Sequence, residues 1–96
     1  MTIELKKFGK TLTSRDSDRE AYKVLESSLQ NIPESEDIIL DFEGINTFSP
    51  SWGDEVVLTL VKNKPNKVIL INTQNKSVTE TFKLLSDINN INFNFQ

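Results

Sequence analysis

Two short apolar runs with a helical segment between them constrain the fold of this chain more than any other feature. The runs are DIILDF, residues 37–42, and KVILIN, residues 67–72. Continuous apolarity over so few residues predicts two β-strands that are covered on both faces. Between the runs, Trp52, Val56 and Leu60 recur at a helical spacing. A strand, a helix and a second buried strand predict a right-handed crossover in a parallel sheet.

The segments before the first run add two strands and a helix. Residues 2–8 alternate in polarity, which predicts a strand near a sheet edge, and residues 11–13 predict a short second strand. The helix is predicted to start at a capping box, Ser17 with Glu20, and to close at Pro33. Its apolar positions recur about every fourth residue and are Ala21, Leu25, Leu29 and Ile32.

The segments after the second run add a third helix and a last strand. Residues 77–88 have helical periodicity and open on another capping box, Ser77 with Glu80. Residues 91–95 alternate and predict a strand with one apolar face. We therefore predict a single α/β domain over residues 1–96, with three helices and a mostly parallel sheet of four or five strands.

The composition argues against several classes of protein. The chain has neither cysteine nor histidine, which removes the best zinc ligands and the usual partners of an activated nucleophile. We expect no metal site, no cofactor and no catalytic residues. The net charge of −3 argues against nucleic-acid binding, which usually needs a basic surface. The N-terminus is polar and no apolar run approaches the ~20 residues that span a bilayer, so we expect a cytoplasmic protein without membrane contact.

The junction after the first apolar run, DFEGINTFSPSWGDE at residues 41–55, is the candidate functional site. In open α/β sheets, function collects beyond the carboxyl ends of the strands. Gly44 permits a tight turn, and Ile45 and Phe48 can fold back as apolar anchors. Asp41 is expected to accept hydrogen bonds from amides of its own loop.

The second half of this junction has the residue types of a helix start. Ser49 followed by Pro50 fits an N-cap and the first helical position, and Ser51 is a competing N-cap. Asp54 and Glu55 then fall in the first turn, where the helix dipole favours carboxylates.

The only tryptophan of the chain, Trp52, lies at this helix start. A packing role and a role as a hot spot for partner binding are both open for a tryptophan in a first turn, and we expect its ring at the rim of the molecule. Gly53, which costs about 1 kcal/mol relative to alanine inside a helix, indicates close packing there.

The junction resembles the hallmark segment of STAS domains, the fold of bacterial anti-sigma factor antagonists. The closer resemblance is to a STAS-like family of unknown function found in bacteria, phages and mobile elements, which residues 12–15, LTSR, also fit. The residues that carry the resemblance are Asp41, Phe42, Gly44, Ile45, Ser51, Trp52, Asp54 and Glu55. The resemblance implies a STAS-like sandwich and a non-catalytic regulatory domain whose partner is a histidine-kinase-like ATPase domain or another regulator.

The chain departs from the classical antagonists at the phosphorylated serine. In an ungapped alignment from Asp41, that serine falls on Pro50, which cannot accept phosphate. Ser51 and then Ser49 are therefore the candidate phosphorylation sites. A helix N-terminus would stabilise a phosphate on Ser51, whereas the carboxylates one turn later would oppose it.

From these arguments we assign residue roles as predictions. The loop is expected to be structured by Asp41, Gly44 and Arg15, the last of these paired with Asp41 or Asp54. The predicted partner-binding residues are Phe48, Ser49, Ser51, Trp52, Asp54 and Glu55.

Three alternatives remain open from sequence. Asp41 and Asp54 could divide acid and base roles or hold magnesium in an enzyme. Backbone amides at residues 51–54 could bind an anion or nucleotide in a sensor domain. A phage-borne or mobile-element-borne inhibitor of a host protein is the third. If residues 91–95 form an outer strand, its free edge could pair with a second copy, so we expect a monomer or a weak homodimer.

Overall fold

The main sheet of the protein is entirely parallel. The computed structural model describes residues 1–13 and 15–96, and the side chains of all of these except residues 15–19. The strands within these residues are β1 (Thr2–Glu4), β2 (Thr11–Leu12), β3 (Ile38–Asp41), β4 (Thr47–Phe48), β5 (Val68–Ile71) and β6 (Asn94–Phe95). Strands β1, β3, β5 and β6 form the main sheet in that order, and β2 pairs with β4 in a separate parallel sheet.

Helical segments connect the strands of the main sheet. Helix α1 spans Arg15–Leu29. Residues 50–63 form one continuous helical segment, α2, which is α-helical over Pro50–Trp52 and Thr59–Asn63 and π-helical over Gly53–Leu58. Helix α3 spans Lys76–Asn89. The predicted α/β class with three helices and a mostly parallel sheet is confirmed. Within the described residues, no helix is both long enough and apolar enough to cross a bilayer.

All three helices pack on the same face of the main sheet. The strand order β1-β3-β5-β6 never reverses, and right-handed crossovers that all step in one direction place their helices on one side. Burial along the strands alternates accordingly: Ile38 and Leu40 are fully buried, whereas Ile39 between them is half-buried. The prediction that the central strands are covered on both faces is therefore wrong.

The helix-facing side chains form one hydrophobic core. The sheet contributes Ile3, Ile38, Leu40, Val68 and Leu70, and the helices contribute Ala21, Leu25, Leu29, Trp52, Val56, Val57, Leu60, Val78 and Phe82. Most of the positions whose periodicity predicted the helices therefore lie in the core.

The first part of the chain forms shorter elements than predicted. Strand β1 ends at Glu4, and residues 5–8 form a 3₁₀ turn rather than continuing the strand. Helix α1 ends at Leu29, before Pro33. The capping box predicted at Ser17 depends on a side chain outside the described residues, but α1 already begins at Arg15.

The last part of the chain also differs in its boundaries. The N-cap of α3 is Asn75, whose side chain accepts hydrogen bonds from the N–H groups of Ser77 and Val78 at 2.8 and 3.3 Å. The predicted Ser77–Glu80 capping box is therefore wrong. Strand β6 is limited to two residues, because only Asn94 and Phe95 pair with β5.

The one-sided arrangement of helices predicts different costs for truncating neighbouring residues of β3. Leu40→Ala should lower the free energy of unfolding by about 2.5–5 kcal/mol, because it leaves a cavity in the core. Ile39→Ala should cost less than about 1.5 kcal/mol, because that side chain is only partly buried. Urea denaturation of both variants measures the difference, and equal losses would contradict a sheet with one open face.

Candidate functional site

The turn that follows β3 is held by a carboxylate and a glycine. Asp41 Oδ1 accepts hydrogen bonds from the backbone N–H of Glu43 at 2.9 Å and from the side-chain amide of Asn72 at 2.8 Å. Gly44 has φ of +82°, a conformation that strains any residue with a Cβ. The Asn72 bond ties the turn after β3 to the turn after β5, so the carboxyl edge of the sheet is fixed on both strands.

Strand β4, which the sequence did not predict, is bonded on both of its edges. On one edge it pairs with β2, where Ser49 N donates to Leu12 O at 3.0 Å and Asn46 N donates to Lys10 O at 2.8 Å. On the other edge it meets two side chains of α3 rather than another strand.

Those two side chains, Ser77 and Thr81, form what we call the Phe48 clamp. The backbone N–H of Phe48 donates to Ser77 Oγ at 2.9 Å. The Phe48 carbonyl accepts from Thr81 Oγ1 at 2.6 Å and from Ser77 Oγ at 3.4 Å. Thr81 is one of the few buried polar residues, and it satisfies a buried carbonyl that has no neighbouring strand. The clamp thus fixes to α3 the loop and helix start at residues 45–57, which we call the corner.

Asn75 fixes the loop between β3 and β4 to the same helix. Besides capping α3, its side-chain amide donates to the carbonyls of Ile45 and Asn46 at 3.2 and 3.4 Å. Sequence reasoning missed Asn72, Asn75, Ser77 and Thr81 as residues of the site. Because Ser77 and Thr81 lie four residues apart, they lie on one face of the helix. This spacing, next to the apolar positions of α3, is the sequence signal that could have indicated them.

Helix α2 starts at Ser49. The Ser49 side chain accepts from the N–H of Trp52 at 3.2 Å, and Pro50 occupies the first helical position. Ser51 lies inside the first turn, with its hydroxyl 3.4 Å from Ser49 Oγ. Of the two cap candidates, Ser49 is the cap, and both serines are half-buried.

The ring of Trp52 lies in the core rather than at the rim. Trp52 is 0% exposed and Phe48 is 1% exposed. The prediction that the Trp52 ring lies at the rim of the molecule is therefore wrong, and neither side chain is exposed in this structure. The Phe48 ring packs 5.1 Å from Phe42, 5.2 Å from Phe82 and 6.1 Å from Trp52, measured between ring centroids. Trp52 Nε1 has no acceptor among the described residues, so the ring acts through apolar and aromatic contacts.

The exposed charged side chains of the corner are acidic. Asp54 and Glu55 are both exposed on the first turns of α2, and neither forms an ion pair within the described part of the chain. Between them and the core, Gly53 allows close packing: a Cβ there would lie 2.6 Å from Leu85 Cδ1. The side chain of Arg15, predicted to pair with Asp41 or Asp54, lies outside the described residues.

Comparison of the sequence with known protein families finds one match, and the matched residues include this corner. A family model described as a STAS-like domain of unknown function matches residues 20–78, more than half of the chain. The chain belongs to this STAS-like family. The match includes the whole segment 41–55, whereas the LTSR segment at residues 12–15 lies before it. No curated protein and no solved structure matches the chain significantly.

The first turn of α2 in this STAS-like domain has few amides left for an anion. Pro50 has no N–H, the Trp52 N–H is bonded to Ser49 Oγ, and the Gly53 N–H donates to Ser49 O at 3.0 Å. Groups of three or more acidic side chains that could hold a metal do not occur among the described residues. The corner is thus a surface with two carboxylates on a hydrogen-bonded scaffold.

The Phe48 clamp can be tested with two threonine substitutions in the same helix. Thr81→Val should lower the free energy of unfolding by about 1–2 kcal/mol, because it removes the short hydrogen bond to a buried carbonyl. Thr79→Val is the matched control: its hydroxyl bonds an exposed carbonyl, that of Lys76, at 3.1 Å, and it should cost less than about 0.5 kcal/mol. Urea denaturation distinguishes the two, and equal effects would mean that the clamp is not stabilising.

Proposed function

We propose that this STAS-like domain is a non-catalytic regulatory module that binds a partner protein through the corner at residues 45–57. The observation that carries the proposal is the exposure of two adjacent carboxylates, Asp54 and Glu55, on the first turns of α2. Exposed charges on a fixed scaffold attract a partner of opposite charge and set its orientation. The partner surface is therefore basic at this contact.

The buried residues of the corner support this role indirectly. Phe48 and Trp52 fill the core beneath the helix start, and the clamp holds the backbone at Phe48. A surface that is already ordered loses little conformational entropy when a partner binds, which favours affinity. We therefore assign Phe48 and Trp52 a supporting role and assign recognition to the exposed residues.

The STAS resemblance implies a histidine-kinase-like ATPase domain as the partner and a serine as the control point. We place phosphorylation at Ser51, because the Ser49 hydroxyl accepts the cap bond from Trp52. Ser51 is half-buried and lies one turn before Asp54 and Glu55. A phosphate there would displace the first turn and repel both carboxylates, which would alter the contact surface.

Charge reversal tests the proposed contact. The double variant Asp54→Lys with Glu55→Lys should raise the Kd for a purified histidine-kinase-like ATPase domain from the same cells at least ~10-fold, which corresponds to about 1.4 kcal/mol. Calorimetry measures the Kd. The matched control is Glu26→Lys with Glu34→Lys, which changes the net charge equally at two exposed positions outside the corner.

The control double variant should bind within about 3-fold of the unmodified protein, since a distant surface charge is screened by salt. If both doubles weaken binding equally, net charge and not the corner determines affinity. If neither does, the corner is not the contact. Ser51→Glu in the same assay should raise the Kd more than Ser51→Ala, and equal values would remove Ser51 as the control point.

A further inference from the structure

A groove of about 340 Å³ runs between helix α3 and β6, the outer strand of the main sheet. Phe95 of β6 is in register with the core residue Leu70, and its ring lies 5.6 Å from the Phe82 ring of α3, measured between centroids. Phe82 is buried, whereas Phe95 is 49% exposed. The groove therefore has an aromatic wall that a ligand can reach, and its volume lies in the range of small-molecule sites, which begins at about 300 Å³.

One end of the groove contains a buried hydroxyl. Thr73 and Thr81 are the buried polar residues of the described chain, at 9% and 5% exposure. Thr81 donates to the Phe48 carbonyl at 2.6 Å. Thr73 lines the groove, and its hydroxyl forms no hydrogen bond within the described residues. Because buried polar groups in proteins almost always have a hydrogen-bond partner, a polar atom of a ligand in the groove would supply the partner that this hydroxyl lacks.

The other end of the groove carries a cation and an anion. Lys83 and Asp87 both line the groove and are exposed. They lie four residues apart on α3, so they are neighbours on one face of the helix. A ligand with a single charge would be attracted by one of them and repelled by the other, whereas a ligand with both charges would be stabilised by both. This end of the groove therefore favours a zwitterion.

The aromatic wall lies between the two polar ends. Thr73 precedes the first turn of α3, which begins at Lys76, and Lys83 lies seven residues further along the helix. At about 1.5 Å per residue, seven residues span about 10 Å. A single aromatic ring with a polar group at each end has a comparable length, so one small molecule can reach both ends.

We propose that this groove binds a free aromatic amino acid that carries a ring hydroxyl, with tyrosine as the simplest member of the class. The ligand ring packs against Phe95, since aromatic rings stabilise each other at centroid distances of about 4.5–7 Å. The ring hydroxyl bonds Thr73, the ligand carboxylate lies beside Lys83, and the ligand ammonium lies beside Asp87.

This site is independent of the partner-binding corner. The Phe48 clamp uses the side of α3 that meets β4, through Ser77 and Thr81. The groove lies along the side of α3 that meets β6, where Phe82 contacts Phe95. Binding of a small molecule can therefore be measured without the partner protein, and its failure would leave the proposed function untouched.

A ligand series tests the recognised groups one at a time. The full chain, isotope-labelled for NMR, is titrated with tyrosine and followed by the amide shifts of Thr73, Lys83 and Phe95, which should all move. Phenylalanine lacks the ring hydroxyl, tyramine lacks the carboxylate and desaminotyrosine lacks the ammonium. Each analogue should have a Kd at least ~3-fold higher than tyrosine, because each loses one hydrogen bond or one charge contact.

Two results of the titrations would overturn the proposal. The first is an absence of shifts with tyrosine, or shifts confined to residues outside the groove. The second is an analogue that binds as tightly as tyrosine, because the group that it lacks would then contribute nothing.

A pair of threonine variants locates the hydroxyl contact on the protein. Thr73→Val should raise the Kd for tyrosine at least ~3-fold and leave that for phenylalanine unchanged, since valine keeps the shape and removes the hydroxyl. Thr79→Val is the matched control and should change neither Kd. Thr79 also lines the groove, but its hydroxyl donates to the Lys76 carbonyl at 3.1 Å. A preference for tyrosine that persists in Thr73→Val would contradict the assignment.

A pair of lysine variants locates the carboxylate contact without altering the core. Lys83→Gln should raise the Kd for tyrosine at least ~3-fold and should not raise that for tyramine, which has no carboxylate. Lys23→Gln, which removes an exposed lysine of α1, should change neither. The amide spectrum reports the folding of every variant. Equal losses for both ligands in Lys83→Gln would mean that this lysine does not read the carboxylate.

Discussion

The corner of this STAS-like domain depends on strand β4 having hydrogen-bond partners on both edges. A strand of two residues cannot hold its position alone, and an unpaired buried carbonyl costs about 1–3 kcal/mol. Strand β2 satisfies one edge, and Ser77 and Thr81 of α3 satisfy the other. Ser49, the N-cap of α2, is the next residue after β4 in the chain. The position of β4 therefore fixes where α2 begins.

The aromatic cluster couples the same backbone to the core. The centroid of the Phe48 ring lies 5.1 Å from that of Phe42 and 5.2 Å from that of Phe82, while the Phe48 N–H and carbonyl are bonded to α3. A single residue therefore joins β4, the end of β3 and helix α3 by side chain and backbone together. Movement of the corner would have to break polar and apolar contacts at once, which explains how a surface loop can be well ordered.

The sequence predicted the features that depend on periodicity and missed those that depend on tertiary hydrogen bonds. The helices and the strands of the main sheet follow from apolar spacing, and Gly44 and Ser49–Pro50 follow from local backbone requirements. Strand β4 has no periodic signal, because it is only two residues long. The cap at Ser77 was inferred from a short motif, yet Asn75 caps α3 and also donates to the carbonyls of Ile45 and Asn46.

The burial of Trp52 follows from the size of the protein. A chain of 96 residues has a modest core, and a tryptophan buries about 150–250 Å². At about 25 cal/mol per Å², that is worth ~4–6 kcal/mol, which exceeds the ~1–3 kcal/mol cost of an Nε1 that has no acceptor among the described residues. The free energy gained by burying the Trp52 ring therefore exceeds the cost of burying its N–H group, and the ring lies in the core rather than at the surface. The charged side chains that the corner leaves exposed are then Asp54 and Glu55, whose electrostatic interactions are screened by salt.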